Sequence, residues 1–123
     1  MFDLINAERE SRGLNRIYYD IDRAYISSKK HAIDMKENNY FDHDNKLGET
    51  PFDRMSNEGI DYYSAGENLA GGHSSAIYAH EALMNSKGHR EIILNDDFKY
   101  VGIAADFGGE LHTYYVQNYY IEY

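Results

Sequence analysis

Two strand-like runs close the chain, Tyr100 to Asp106 and Leu111 to Tyr120, with Phe107-Gly108-Gly109-Glu110 between them. Aromatic and β-branched residues on both sides of a glycine pair read as a β-hairpin. Almost everything before it reads as helix. Phe2 to Arg12 carries Ile5, Leu4 and Phe2 as an apolar face and stops at Gly13, a good residue for the left-handed turn after a helix. Asp20 looks like the cap of a longer helix reaching Asn38, with Ile21, Ala24, Tyr25, Ser28, Ala32 and Met35 at helical spacing. Thr50-Pro51-Phe52-Asp53 opens a short third helix, with Phe52 and Met55 expected inward and Gly59 as its end. Ser74 or Ser75 caps a fourth, with Ala76, Ile77, His80, Leu83 and Met84 on one side. One more strand, Ser64 to Ala70, ends at Gly71-Gly72. Helices first and paired antiparallel strands last predict an α+β domain, four helices packed on a small antiparallel sheet.

A chain of 123 residues suits one domain over 1–123, and no repeat, linker or low-complexity stretch divides it. No apolar run is long enough to cross a bilayer. The chain goes straight from Met1-Phe2-Asp3 into a helical pattern without a basic leader, which is how a piece excised from a longer protein would look. Its net charge of −9, from 12 basic and 21 acidic residues, repels phosphates, so nucleic acid is not an expected partner. Without cysteine there is no disulfide framework, thiolate metal site or cysteine nucleophile. Thirteen tyrosines against five phenylalanines suit either a wet cavity or a core whose aromatic positions are filled by tyrosine.

Three titratable residues stand at the ends of different elements: His43 in Tyr40-Phe41-Asp42-His43, Glu67 in Gly66-Glu67-Asn68, and His89 in Gly88-His89-Arg90. Such positions are where a rigid scaffold presents functional groups. Two imidazoles and a carboxylate bind a divalent metal or share protons near neutral pH. Their spacing does not force them together as H-E-x-x-H on a helix does. The residues alone therefore leave two readings open, a shared site, or two histidines capping helix ends while Glu67 satisfies loop amides. Gln117 and Asn118 in the last strand read as solvent-facing alternates. Ser86 is a nucleophile candidate near His89, with no oxyanion hole in sight. Gly71-Gly72 lacks the pattern of a phosphate loop; His31 sits inside the second helix and reads as structural, His80 reads as a core or boundary histidine, and His73 and His112 have no motif support.

Taken in order, several segments carry a resemblance. They are Leu4-Ile5-Asn6-Ala7-Glu8-Arg9, His31-Ala32-Ile33-Asp34-Met35, Tyr40-Phe41-Asp42-His43 and Thr50-Pro51-Phe52-Asp53-Arg54. Ala65-Gly66-Glu67-Asn68-Leu69-Ala70, Met84-Asn85-Ser86-Lys87-Gly88-His89-Arg90 and Val101-Gly102-Ile103 complete the set. The chain resembles the CAP superfamily, or SCP domain, of cysteine-rich secretory, antigen 5 and pathogenesis-related proteins, in its bacterial, disulfide-free branch. The resemblance implies a three-layer α-β-α sandwich with a large cleft, which in many members holds two histidines and two glutamates. His43, Glu67 and His89 map onto three of these positions. The second glutamate falls on or near Ser86, and Glu81, five residues upstream, is turned away by about 140° on that helix. Leu83 stands where the family usually has tryptophan.

The resemblance also implies an extracellular or cell-envelope location. Three functions follow as expectations. The first is a binding module for a small molecule, lipid, glycan or protein, without turnover and with no catalytic residue named. The second is a hydrolase dependent on a divalent metal such as zinc, with His43, Glu67 and His89 as ligands. The third is a structural interaction domain of an envelope or spore protein.

Overall fold

A computed structural model describes residues 1–123. Five helices, α1 (Phe2–Glu10), α2 (Ala24–Asn38), α3 (Pro51–Asn57), α4 (Ala76–Met84) and α5 (Lys87–Ile93), cover one sheet of β1 (Tyr18–Tyr19), β2 (Tyr62–Gly71), β3 (Tyr100–Gly108) and β4 (His112–Glu122). The strands lie in the order β1-β3-β4-β2. β3 and β4 are the closing hairpin, and β2 pairs antiparallel with the other edge of β4. The expected antiparallel sheet is therefore present in its three long strands. The two-residue β1, which no sequence pattern announced, adds a parallel pairing to β3.

Local chemistry sets most boundaries. Thr50 Oγ1 accepts from the Asp53 amide at 3.1 Å while Asp53 Oδ2 accepts from the Thr50 amide at 3.0 Å, and Pro51 takes the first helical position where no amide is needed. Asp20 does cap, but one turn ahead of α2. Its carboxylate accepts from the amides of Asp22, Arg23 and Ala24, so residues 21–23 form a turn and Ile21 is 58% exposed rather than packed. Phe52, also expected inward, is 41% exposed, while its neighbour Met55 is fully buried. The predicted fourth helix breaks at Asn85-Ser86. Ser86 is the N-cap of a separate α5, which gives five helices rather than four and places Gly88-His89 in a first helical turn instead of after a helix end.

The sheet is covered on both faces. Alternate residues of β4 serve the two layers, as the period of two requires. Tyr115 and Tyr119 join Ile5, Leu83, Ile93 and Phe98 under α1, α4 and α5. Tyr114 and Val116 pack with Ala32 and Met35 of α2, and Tyr120 packs with Ala24 and Met55 near the start of α2 and in α3. This is the three-layer α-β-α arrangement. Gly102 fixes the distance between layers. A Cβ there would run into the backbone of Ala24 and Tyr25, and the Gly102 carbonyl accepts from Ser28 Oγ at 2.8 Å, so α2 rests directly on β3.

Candidate functional site

β2 is an edge strand, with α3 packed on one side and α5 on the other. A cavity of about 520 Å³ opens along this edge. His43 and Glu67 contribute its polar wall, and Phe52, Ile92 and Phe98 its apolar one.

Glu67 is the centre of the site. Its strand register places it opposite Asn118 of β4, so both side chains point to the α2 face. The side chain is only 1% exposed, and both oxygens are fully engaged. Oε1 accepts from His43 Nδ1 at 2.9 Å and from Arg54 Nη2 at 3.2 Å. Oε2 accepts from Arg54 Nη1 at 3.0 Å and from Asn118 Nδ2 at 2.8 Å. Burial by itself would raise the carboxyl pKa. The His43 hydrogen bond and the Arg54 guanidinium outweigh it and hold Glu67 below the ordinary carboxylate range.

His43 stands in the segment between α2 and α3, with its ring about half exposed. Arg54 also donates to its main-chain carbonyl, so one guanidinium fixes both members of the His43–Glu67 pair. The hydrogen bond to Glu67 raises the His43 pKa against burial and against Arg54. His89 differs. Burial, followed by the charge of His43, lowers its pKa, so the two imidazoles are close enough to sense each other while leaning toward opposite protonation states. Its Nδ1 lies 2.8 Å from Ser86 Oγ, and its main-chain carbonyl accepts from Asn68 Nδ2 at 3.1 Å. It makes no hydrogen bond to His43 or Glu67. The structure thus joins His43 to Glu67 directly and ties His89 to Asn68, the residue after Glu67.

No group of three or more His, Asp or Glu side chains is arranged to hold a metal ion. Glu67 in particular does not fit as a ligand, because four donors already use its lone pairs and the Arg54 cation occupies the place of a metal charge. At the site, Nε2 of His43 and Nε2 of His89 are the ring nitrogens without a hydrogen-bond partner in the protein. Glu81 is exposed on α4. Ser86 has a base within reach, but His89 has no carboxylate behind it to orient the ring, as an activated serine requires.

Two expectations need correction. Gln117 and Asn118 do not face solvent; both are fully buried, because helices cover the two faces of the sheet and leave no outward side. Asn118 receives Ser27 Oγ at 2.8 Å and donates to Glu67, while Gln117 Oε1 accepts from the Tyr119 hydroxyl at 2.8 Å and from Asn68 Nδ2 at 3.3 Å. Arg54 and Asn118 are the site residues that sequence reasoning missed. Arg54 stood in the Thr50-Pro51-Phe52-Asp53-Arg54 block, one helical position before the buried Met55, and that placement was its only signal. His31 and His80 are buried, as structural histidines should be; His31 Nε2 pairs with the Asp42 carbonyl at 2.8 Å and His80 lies 3.7 Å from Glu8.

Comparison with known proteins bears on what this site belongs to. Residues 2–119 match the model of the CAP, cysteine-rich secretory protein family. The chain is 40% identical over 111 residues to the uncharacterized protein YkwD of Bacillus subtilis, covering 90% of this chain and 43% of that protein. Among solved structures, an extracellular SCP-domain protein of Bacillus anthracis superposes with a TM-score of 0.88 at 34% identity, over 98% of this chain and 39% of that one. An outer surface protein of Borrelia burgdorferi superposes with a TM-score of 0.91 at 24% identity, over 99% and 90% of the two chains, and shows the shared fold. The chain spans less than half the length of YkwD and of the Bacillus anthracis protein.

Proposed function

Since the chain belongs to the CAP, cysteine-rich secretory protein family, we propose that it is an extracellular or envelope-facing binding module. Its cleft along β2 takes a ligand without turning it over. One observation carries this reading: the carboxylate at the centre of the site is saturated. A general base must have a lone pair free for a proton and a pKa near the working pH. Glu67 has neither, since four donors hold it and its pKa is pushed down. What the cleft offers instead is a fixed polar edge, the half-exposed His43 ring, facing an apolar wall of Phe52, Ile92 and Phe98. Its volume lies within the roughly 300–1,000 Å³ usual for small-molecule sites. An amphipathic ligand, apolar on one side with a hydrogen-bonding group for His43 Nε2 on the other, matches that lining. The extracellular and outer-surface proteins of similar structure support the location.

A second reading is favoured by the free Nε2 atoms of His43 and His89. A divalent ion held by the two imidazoles would have Glu67 behind His43 as its orienting carboxylate rather than as a ligand. The bound ion would supply Lewis-acid polarisation of a ligand oxygen. This chain's own contribution would be to hold the His43 ring and its Nδ1 proton in place.

A fragment screen read by amide shifts, run beside peptide and ester turnover assays with and without equimolar zinc, separates these readings. The binding module predicts fragments against His43, Phe52 and Phe98 and no turnover. Turnover abolished by His89→Ala would overturn it. Stoichiometric zinc that is lost on His43→Ala would establish the second reading.

A further inference from the structure

β2 has a strand partner on one side only, and its other side is the floor of the cleft. In an antiparallel pair every second residue exchanges both main-chain hydrogen bonds with its partner, while the residues between turn theirs away. The phase is fixed at the end of β2, where the Gly72 amide donates to the Thr113 carbonyl at 3.0 Å. Counted back in twos along the register, Ala70, Asn68, Gly66 and Ser64 bond to β4. The Tyr120 carbonyl agrees, since it accepts from the Lys99 amide at 3.1 Å on the β3 side. Ala65, Glu67, Leu69 and Gly71 therefore turn their N–H and C=O groups outward. No strand lies beyond them, and no main-chain bond reaches them from a loop or helix.

Two of these four, Ala65 and Glu67, line the cleft. Ala65 is half-buried. Glu67 keeps 5% of its surface as a residue but only 1% in its side chain, so what it shows is mostly main chain. Its carboxylate is saturated from within, and its peptide groups are not. An unpaired strand edge is a template for another extended chain, and folded proteins normally cover or disrupt it. Here it is left open at the bottom of a cavity.

The walls of the cleft follow the same period of two. The side chain of Glu67 meets His43 on the α2 face of the sheet. Gly66 faces the other way, where an added Cβ would lie 3.2 Å from the Phe98 ring and 3.6 Å from Ile92. A strand laid beside β2 sends successive side chains to these two faces in turn. The residue opposite Gly66 lies against Ile92 and Phe98. The residue opposite Glu67 lies on the side of the half-exposed His43 ring, whose Nε2 is free.

We infer that the ligand of the cleft is an extended peptide, which adds to the edge of β2 as a fifth, antiparallel strand through the main chains of Ala65 and Glu67. This rests on the binding-module reading above and names its ligand. Main-chain pairing supplies the affinity, and the alternating walls select an apolar residue between two polar ones. A second folded copy of this chain is a poorer occupant, because α3 and α5 flank the edge and recess it.

The test uses the ¹⁵N-labelled chain and the blocked peptide Ac-Gly-Thr-Val-Thr-Gly-NH2, with valine to sit opposite Gly66. Strand addition predicts saturable shifts at residues 64–67 and new protection of the Ala65 and Glu67 amides from hydrogen exchange. N-methylation of both threonines removes the two amides that point at β2. It should weaken binding by about ten- to thirtyfold, the worth of two net hydrogen bonds. N-methylation of the valine, whose amide points away, should leave binding unchanged. Ala65→Pro deletes one outward donor without touching the β4 ladder, as an edge strand tolerates, and should cost about fivefold. The peptide analogues decide the matter even where that variant fails to fold. Equal binding of both analogues, or binding retained by the threonine analogue alone, would overturn the antiparallel pairing. Protection of the same amides that rises with protein concentration, without peptide, would overturn the peptide in favour of a second copy. Fragments bound at His43 and Phe98 with no peptide shifts would overturn strand addition and leave the binding module standing. Cleavage of the peptide would overturn the binding module instead, with the two analogues still deciding the pairing.

Discussion

At the scale of single residues, Glu67 shows how one buried carboxylate is made tolerable and what it then controls. Its charge is balanced by Arg54 and by a His43 ring whose proton it holds. Glu67→Gln removes that charge and sets an amide NH2 against donors on Arg54 or Asn118. Breaking a buried pair from one side costs about 3–5 kcal/mol, which urea denaturation would read as a lower midpoint. The same change should bring the His43 pKa back down, because the hydrogen bond to Glu67 is the main reason it is raised. The pH dependence of the pair follows from the two shifts. Glu67 is lowered from 4.5, so its contribution is complete above that value and is lost as pH falls through its folded pKa. His43 is raised from 6.5, so its contribution is complete below that value and fades as pH rises through its folded pKa. The His43–Glu67 pair should therefore stabilise the fold most between pH 4.5 and pH 6.5. A stability difference between wild type and Glu67→Gln that peaked outside that window would contradict the assignment.

Elements were legible in the sequence wherever their cause was local. The Thr50–Asp53 capping box, the turn at Gly13 and the Gly108-Gly109 hairpin involve residues a few positions apart, and all are present. What escaped depended on partners distant in the chain. Asn6 and Arg9 lie in α1 among charged neighbours and look like surface residues, yet both are buried. Asn6 clamps Ile17 by accepting from its amide at 2.8 Å and donating to its carbonyl at 3.1 Å. Arg9 donates to the carbonyls of Asn15, Ile93, Asn95 and Phe98, closing the C-terminal end of α5 and the turn after it. Arg9→Ala would leave four carbonyls without that donor and open a cavity, a loss of about 3 kcal/mol or more. Arg9→Lys should recover only part, since one ammonium cannot reach all four. Gly102→Ala tests the layer spacing in the same way. With the Ala24 backbone in the way of the new Cβ, α2 must lift off β3. Thermal melting should show a loss at or beyond the ~1–3 kcal/mol typical of overpacking.

Across the whole molecule, the candidate site forms a polar seam through the middle of the sheet. On the α2 face of β4, Tyr114 and Val116 belong to one apolar cluster and Tyr120 to another, with Asn118 between them. Ser27 from α2, Asn118 from β4, Glu67 from β2 and Arg54 from α3 join four elements across that gap by side-chain hydrogen bonds. The alternation rule misread Asn118 because it assumes one wet face, whereas both faces here are covered. The identity of Glu67 and His43 was visible as residue types in a family pattern, but their saturation by Arg54 was not, since it depends on how α3 crosses β2. The seam leads to a last prediction. If the four residues act as one network, Asn118→Ala and Glu67→Gln should not add. Asn118→Ala alone removes a donor from Glu67 Oε2 and an acceptor from Ser27, at about 2–3 kcal/mol. Once Glu67 is Gln, much of that donor's value has already gone. The double mutant should then be less destabilised than the sum of the singles, with a coupling of about 0.5–3 kcal/mol, and Ser27→Ala should couple to Asn118 in the same sense. Urea unfolding of the wild type and each single and double variant at about pH 6, inside the window where the pair is fully charged, measures both cycles. Strict additivity would mean that the bonds drawn across the sheet are energetically independent, and that Glu67 is held by Arg54 and His43 without Asn118.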